Sequence, residues 1–166
     1  MISPSDFAWW YEMRFLALLL MLALDDPSPE TTIRDFYKVY VNSGLPNAAQ
    51  LQKLSPYLSA PLQQALKQAA KQQAVCMKAH PDEKPPFIEG DLFTSNFEGL
   101  TSITNIRDAG NGAYDVYFQY IEKGHKFHWK DRLMLVKLPN GRWVIDDIQF
   151  RDNPPTLRHS LTQKGC

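Results

Sequence analysis

The spacing of apolar residues changes along this chain, and that change constrains the fold more than any other feature. Between residues 28 and 80, apolar residues recur every three or four positions, the period of a helix that buries one face. From Thr101 onward they alternate with polar residues, and Gly110-Asn111-Gly112 and Pro139-Asn140-Gly141 separate the alternating runs. Helices followed by strands with tight turns predict an α+β fold, in which N-terminal helices pack on a four-stranded antiparallel meander.

Three residues that favour the N-cap position, Ser28, Asn47 and Ser59, predict the starts of three helices. Gly44 and Pro46 end the first helix, and the third ends before residue 81. The apolar stripes are Ile33, Phe36, Tyr37, Tyr40 and Val41 in the first helix, Leu51 and Leu54 in the second, and Leu62, Leu66, Ala69, Ala70 and Met77 in the third. A last helical turn or two is predicted at residues 156–163.

The alternating half of the chain predicts strands at residues 101–107, 113–121, 126–138 and 142–150. The turns between them place Ile121 opposite Lys126 and Leu138 opposite Trp143. One face of the sheet is then largely aromatic and is expected to meet the helices; it carries Tyr114, Val116, Phe118, Tyr120, Phe127, Trp129, Leu133, Leu135, Val144, Ile148 and Phe150. The opposite face is more polar, with an apolar end that includes Ile145.

Two carboxylates, Asp131 and Asp146, fall on the aromatic face together with Trp129. Because an unpaired buried carboxylate is costly, each needs a partner or a function. In the functional interpretation, Trp129, Asp131 and Asp146 line a ligand-binding pocket between sheet and helices, and one carboxylate is a ligand anchor or general base. In the structural alternative, the carboxylates pair with Arg34, Arg107 or a backbone N–H.

Residues 81–99 form a long connection without periodicity between the helices and the strands. Loops of this length within compact domains are commonly functional. The apolar residues of this loop predict that it packs against the domain. We take Glu89, Asp91 and Phe93 as further candidate ligand-binding residues, because they combine carboxylates with an aromatic side chain in this loop.

No metal, cofactor or catalytic residue is predicted. The sequence has no C-x-x-C or H-E-x-x-H spacing, and His125 and His128 lack an evident third ligand. The loop acids Glu89, Asp91 and Glu98 do not have calcium-loop spacing. No Ser or Cys nucleophile can be matched specifically with a histidine and an acid.

The N-terminal segment predicts export. Residues 15–24 carry no polar side chain and follow Met13 and Arg14, as in a signal peptide with a positive end. This run is too short to cross a bilayer, which requires about 20 residues. We predict that residues 1–24 are an upstream extension and a signal peptide, with translation starting at Met13, and that residues 25–166 form one periplasmic or otherwise exported domain. The alternative is an uncleaved amphipathic or buried first helix.

The two cysteines, Cys76 and Cys166, are the candidates for a disulfide in an oxidising compartment. The bond would join the end of the chain to the third helix and would stabilise the fold by up to ~4 kcal/mol in the loop-entropy account. Two unrelated thiols are the alternative.

The charge of the chain excludes two classes of partner. Lys and Arg number 18 and so do Asp and Glu, which gives a formal net charge of zero. Nucleic acids and anionic membrane surfaces are bound through an excess of Lys and Arg. We therefore expect no nucleic-acid partner. No stable membrane span is expected either, because the apolar run at residues 15–24 is too short.

Several segments resemble the domain of unknown function 3828 family of bacterial exported proteins, which includes the YbjP-type lipoproteins. The resemblance covers residues 32–150, and its segments are Phe36-Tyr37, Pro56-Tyr57-Leu58-Ser59, KPPFIEGDLFTS at 84–95, Phe97-Glu98-Gly99, Trp129-Lys130-Asp131 and WVIDDI at 143–148. The family implies a nuclear transport factor 2-like or cystatin-like cone, in which helices pack on a curved antiparallel sheet, and it implies no catalytic residues. Unlike YbjP-type members, this chain has no lipid-attachment Cys after its apolar run.

We predict a non-catalytic binding or accessory protein of the periplasm or cell envelope. Its partner is expected to be an envelope protein or a cell-wall component, bound through residues 81–99 and the mouth of the cone. One alternative is a small-molecule-binding protein or enzyme that uses a carboxylate inside the cone. Another is an immunity protein against a secreted toxin. Monomer and homodimer both remain open.

Overall fold

The computed structural model describes residues 27–41, 44–87, 90–151 and 155–162. The elements are α1 (Pro29–Val39), α2 (Ala48–Leu54), a 3₁₀ turn (Ser55–Tyr57), α3 (Ala60–Ala79), β1 (Ser102–Gly110), β2 (Ala113–Glu122), β3 (His125–Lys137), β4 (Trp143–Gln149) and α4 (Leu157–Leu161). The sheet is antiparallel throughout, with strand order β1-β2-β3-β4. The predicted α+β order of helices followed by a four-stranded meander is confirmed.

Three predictions fall on residues outside the described parts of the chain. These are the N-terminal extension and signal peptide at residues 1–24, the loop residue Glu89 and the terminal Cys166. The signal peptide and the disulfide between Cys76 and Cys166 therefore stay predictions. Within the described parts, no helix has both the length and the apolar content to span a membrane.

The predicted N-caps are confirmed. The side chains of Ser28, Asn47 and Ser59 accept hydrogen bonds from backbone N–H groups three residues further on, at 3.1, 2.9 and 3.2 Å. Such bonds satisfy N–H groups that the first turn of a helix leaves without a partner. The caps therefore fix where each helix begins.

For two residues, Val41 and Met77, the prediction that they lie on the buried face of a helix is wrong. Val41 is 58% exposed because α1 ends at Val39 and Tyr40 adopts an extended backbone. Met77 is 51% exposed, whereas its neighbour Cys76 is 3% exposed. Seven residues make almost two helical turns, so Cys76 and not Met77 lies on the same face of α3 as Ala69.

The strand registers follow the prediction in the middle of the sheet and depart from it at the end. Ile121 lies opposite Lys126, as predicted. Trp143, however, pairs with Lys137 and not with Leu138. A bulge between Met134 and Leu135 restores the expected register beyond it and leaves Asp146 as the extra residue of β4.

The bulge changes which side chains of β4 are buried. Val144 and the next residue, Ile145, are 1% and 0% exposed, although adjacent residues of a regular strand face opposite sides. The prediction that Ile145 lies on the polar face is therefore wrong.

The core lies between the helices and the aromatic face of the sheet. It includes Ile33, Phe36, Leu54, Leu62 and Leu66 from the helical half, Val116, Phe118, Trp129, Leu133, Leu135, Ile145 and Ile148 from the sheet, and Leu157 and Leu161 from α4. Phe127 was expected in this layer but is 52% exposed. Residues 121–128 are all exposed, so the tip of the β2–β3 hairpin extends past the helices that cover the rest of the face.

Neither edge of the sheet is a regular, free strand. The register of β1 against β2 shifts twice, between Ile103 and Asn105 and between Asp108 and Gly110. At the other edge, Leu58 forms a parallel bridge with Ile145 of β4. The Ser59 backbone N–H donates to the Ile145 carbonyl at 2.8 Å, so the start of α3 is joined to this edge.

Candidate functional site: a loop held by a buried carboxylate

Asp131 connects three separate segments of the chain. It points from β3 into the interior, opposite Val116, and is 1% exposed. Its Oδ2 accepts from the Ser95 backbone N–H at 2.8 Å and from Trp129 Nε1 at 3.2 Å, and its Oδ1 accepts from the Arg151 backbone N–H at 3.1 Å. Of the predicted alternatives for this carboxylate, pairing with backbone N–H groups is what the structure shows.

Burial raises the pKa of Asp131, and the hydrogen bonds that it accepts from Ser95, Trp129 and Arg151 act in the opposite direction. A carboxylate that accepts several N–H donors satisfies its oxygens without a basic side chain. Asp131 therefore holds both Ser95 and Arg151, which lies two residues after β4, against β3.

A second carboxylate shapes the loop itself. Asp91 Oδ1 accepts from the Phe93 backbone N–H at 2.7 Å, a turn in which an Asp side chain binds the backbone two residues further on. Phe93 is 2% exposed, and its ring packs edge-on against Phe36 of α1 with 5.3 Å between the ring centres. The Tyr37 hydroxyl donates to the Phe93 carbonyl at 2.8 Å.

Asp91 lies in an environment that disfavours a charge. Its pKa is raised to about 7: burial is the largest cause, bonds from the backbone N–H groups of Phe93 and Thr94 oppose the rise, and the Asp131 charge adds to it. Its second oxygen, Oδ2, is buried and has no hydrogen-bond partner among the described residues. Burial also raises the pKa of Tyr37, with Asp131 and Asp91 as further causes, so this hydroxyl stays a neutral donor.

Trp129 belongs to a group of packed aromatic rings. Trp129 is 7% exposed and stacks on Phe118 with 5.4 Å between the ring centres. Phe118 also contacts Tyr37 of α1 edge-on at 5.0 Å. One ring, that of Phe118, therefore contacts both α1 and Trp129. Ligand binding by Trp129 and Asp131 stays a prediction.

Asp146 belongs to a different group of contacts. Its Oδ1 accepts from the Ser59 hydroxyl at 2.6 Å, and its Oδ2 accepts from Arg158 Nη1 at 2.7 Å. The neighbouring Asp147 accepts from the Arg158 backbone N–H at 2.9 Å. The bulge of β4 thus joins the N-terminus of α3 to α4. Ligand binding by Asp146 likewise stays a prediction.

Ser59 is expected to stabilise the fold more than an ordinary cap, because it both caps α3 and donates to Asp146. The Ser59→Ala variant should lose about 1.5 kcal/mol of free energy of unfolding in urea denaturation. Ser28→Ala is the matched control; it removes an exposed cap and should cost about 0.5 kcal/mol. Equal losses in the two variants would show that the contact with Asp146 contributes nothing.

The loop held in this way is residues 90–99, called the anchored loop below. Two hydrogen bonds join it to the rest of the domain, from the Tyr37 hydroxyl to the Phe93 carbonyl and from the Ser95 N–H to Asp131, and a third, from the Phe93 N–H to Asp91, lies within it. Phe97 lies near its end and is 60% exposed. Gly90 has a left-handed backbone with φ of +75°, and a Cβ placed there would lie 2.7 Å from the Phe97 ring. Gly90 therefore leaves the room that Phe97 occupies.

Some side-chain contacts in the structure were not predicted from the sequence. Asp115 lies between Lys130 and Arg132 at 3.0 and 2.7 Å on the polar face, and the hydrogen bond from Arg132 lowers the pKa of Asp115. The confirmed register of β2 and β3 places Asp115 opposite Arg132, so the sequence contained this signal. The contacts of Ser59 and Arg158 with Asp146 had no such signal. Within the described residues, no three His, Cys, Asp or Glu side chains group as a metal site.

The chain was compared with protein-family models, with curated proteins and with solved structures. None of the three comparisons found a match.

Proposed function

We propose that this chain is a non-catalytic binding protein that recognises a partner in the cell envelope through the anchored loop. The observation that carries the proposal is the difference in exposure between two aromatic side chains of this loop. Phe93 is 2% exposed and packs against α1, whereas Phe97 is 60% exposed. Exposed aromatic side chains often supply most of the binding energy of an interface. A loop that is already ordered loses less entropy when it binds.

The contacts of Asp131 and Asp146 support binding over catalysis. A general base needs an oxygen that can reach the proton of a substrate. Both oxygens of Asp131 accept from N–H groups of the chain, and both oxygens of Asp146 accept from Ser59 and Arg158. These carboxylates hold segments of the protein together, which supports a binding role for the surface that they position.

The proposal includes export, membership of the domain of unknown function 3828 family and the cone of nuclear transport factor 2-like proteins. The apolar run at residues 15–24 and the resemblance of residues 84–99 to the loop of that family support it. Osmotic-shock fractionation of cells that express the full chain tests the location. Retention of the chain in the cytoplasm would contradict this part of the proposal.

Phe97→Ala is expected to weaken partner binding about 30-fold, which is the effect of truncating a hot-spot side chain. The measurement is quantitative mass spectrometry of envelope proteins captured by the immobilised chain, from the organism that encodes it. Val75→Ala is the matched control, because Val75 is 64% exposed on α3 and lies outside the anchored loop. Capture of the same proteins, in the same amounts, by wild type and Phe97→Ala would contradict the proposal.

A further inference from the structure

A groove of about 530 Å³ runs between α2 and α3. Its lining includes the apolar residues Pro46, Ala48, Leu51, Leu66 and Ala70. Leu66 is 1% exposed, so the floor of the groove is continuous with the core of the domain. The groove therefore offers apolar surface on the outside of the helical layer.

The charged side chains of the segment that forms this groove are all basic. Residues 46–81 contain four lysines, Lys53, Lys67, Lys71 and Lys78, and no Asp or Glu, although the whole chain has equal numbers of acidic and basic residues. Lys67 and Lys71 line the groove. Both are exposed, and neither forms an ion pair with any residue that the structure describes.

We propose that this groove binds an acidic amphipathic peptide segment of another protein. Apolar side chains of the segment enter the groove beside Leu51 and Leu66, and its carboxylates meet Lys67 and Lys71. The inference goes beyond the binding role of the anchored loop. It depends on α2 and α3 alone and stands if the role of Phe97 is disproved.

The spacing of the two lysines favours a peptide over a single anionic headgroup. Lys67 and Lys71 are one helical turn apart, which separates their Cβ atoms by about 6 Å along the groove. A fatty acid carries one carboxylate and balances only one of the two positive charges. A peptide with acidic side chains one turn apart carries charges at the spacing that the groove presents.

The test uses the full chain and a fluorescently labelled synthetic peptide of about 15 residues, built from Leu at helical spacing and Glu elsewhere. Binding is followed by fluorescence anisotropy, and the bound surface is mapped by hydrogen exchange. A peptide with Lys in place of every Glu is the charge control, and oleate is a competitor. The variants are Lys71→Glu and, as the matched control on the same helix, Lys78→Glu, whose side chain is outside the groove lining.

The acidic peptide is expected to bind at least about tenfold more tightly than the basic one, and to protect α2 and α3 from exchange. Lys71→Glu should weaken it about tenfold, and Lys78→Glu less than about twofold. Equal affinity for the two peptides, no binding of either, or equal effects of the two variants would overturn the proposal. So would stoichiometric binding of oleate that displaces the peptide, or a dimer of the chain that Lys71→Glu dissociates, because these would assign the groove to a fatty acid or to a second copy.

Discussion

The Asp131→Ala variant is expected to lose about 4 kcal/mol of free energy of unfolding, because three N–H donors lose their acceptor at once. The donors belong to Ser95, Trp129 and Arg151, and Asp131 itself is 1% exposed, so water reaches the broken contacts poorly. Hydrogen exchange should show faster exchange at the backbone amide of Ser95 before the core strands open. Urea denaturation, monitored by Trp fluorescence, gives the change in stability.

Two further variants separate the hydrogen bonds from a general effect of mutation. Asp131→Asn keeps one oxygen as an acceptor and should cost about 2 kcal/mol. Asp82→Ala removes an exposed acid from the chain between α3 and the anchored loop and should change stability by less than about 0.5 kcal/mol. If Asp131→Ala is no more destabilising than Asp82→Ala, then Asp131 does not hold the anchored loop.

Asp91 is expected to make the free energy of unfolding decrease as the pH rises from about 4 to 7. Burial raises the pKa of Asp91 from 3.8 to about 7 in the folded chain. Between these values the unfolded state releases a proton that the folded state keeps, so each step up in pH favours unfolding. We expect a loss of about 2 kcal/mol, roughly half of what the full shift corresponds to, because Asp91 is partly exposed.

Asp91→Asn isolates this component from the other titrating groups. The variant keeps an acceptor for the Phe93 N–H and cannot ionise. It should be more stable than wild type by about 2 kcal/mol at pH 8, and the difference should shrink toward zero near pH 4. The measurement is a series of urea denaturation curves at fixed ionic strength, with Asp82→Asn as the control. A difference between Asp91→Asn and wild type that does not change with pH would contradict the raised pKa.

Local sequence rules predicted the parts of the fold that local physics determines. Ser28, Asn47 and Ser59 were identifiable as caps because capping is local: a side-chain oxygen accepts from the backbone N–H three residues further on, in the first turn of the helix. The register of the β2–β3 hairpin was predictable for a similar reason. Its turn contains Lys123 and Gly124, both with positive φ, and a two-residue turn fixes the pairing of all residues that follow.

The features that depend on tertiary contacts were not predictable. The bulge in β4 moves Ile145 into the core, and no residue of the local sequence marks it. Asp131 was found as a buried carboxylate by alternation, but its partners Ser95 and Arg151 are distant along the chain, and only the folded structure brings them together. The exposure of Phe127 depends on how far the helices extend over the sheet, which periodicity does not report.

The irregular edge strands of the sheet affect how copies of this protein can associate at high concentration. A strand arriving from another molecule needs a straight row of free backbone groups, and the two irregularities of β1 bend that row. On the far side, Leu58 and Ser59 already occupy backbone groups of Ile145. Strand addition from another molecule is therefore disfavoured along β1 and at Ile145 of β4.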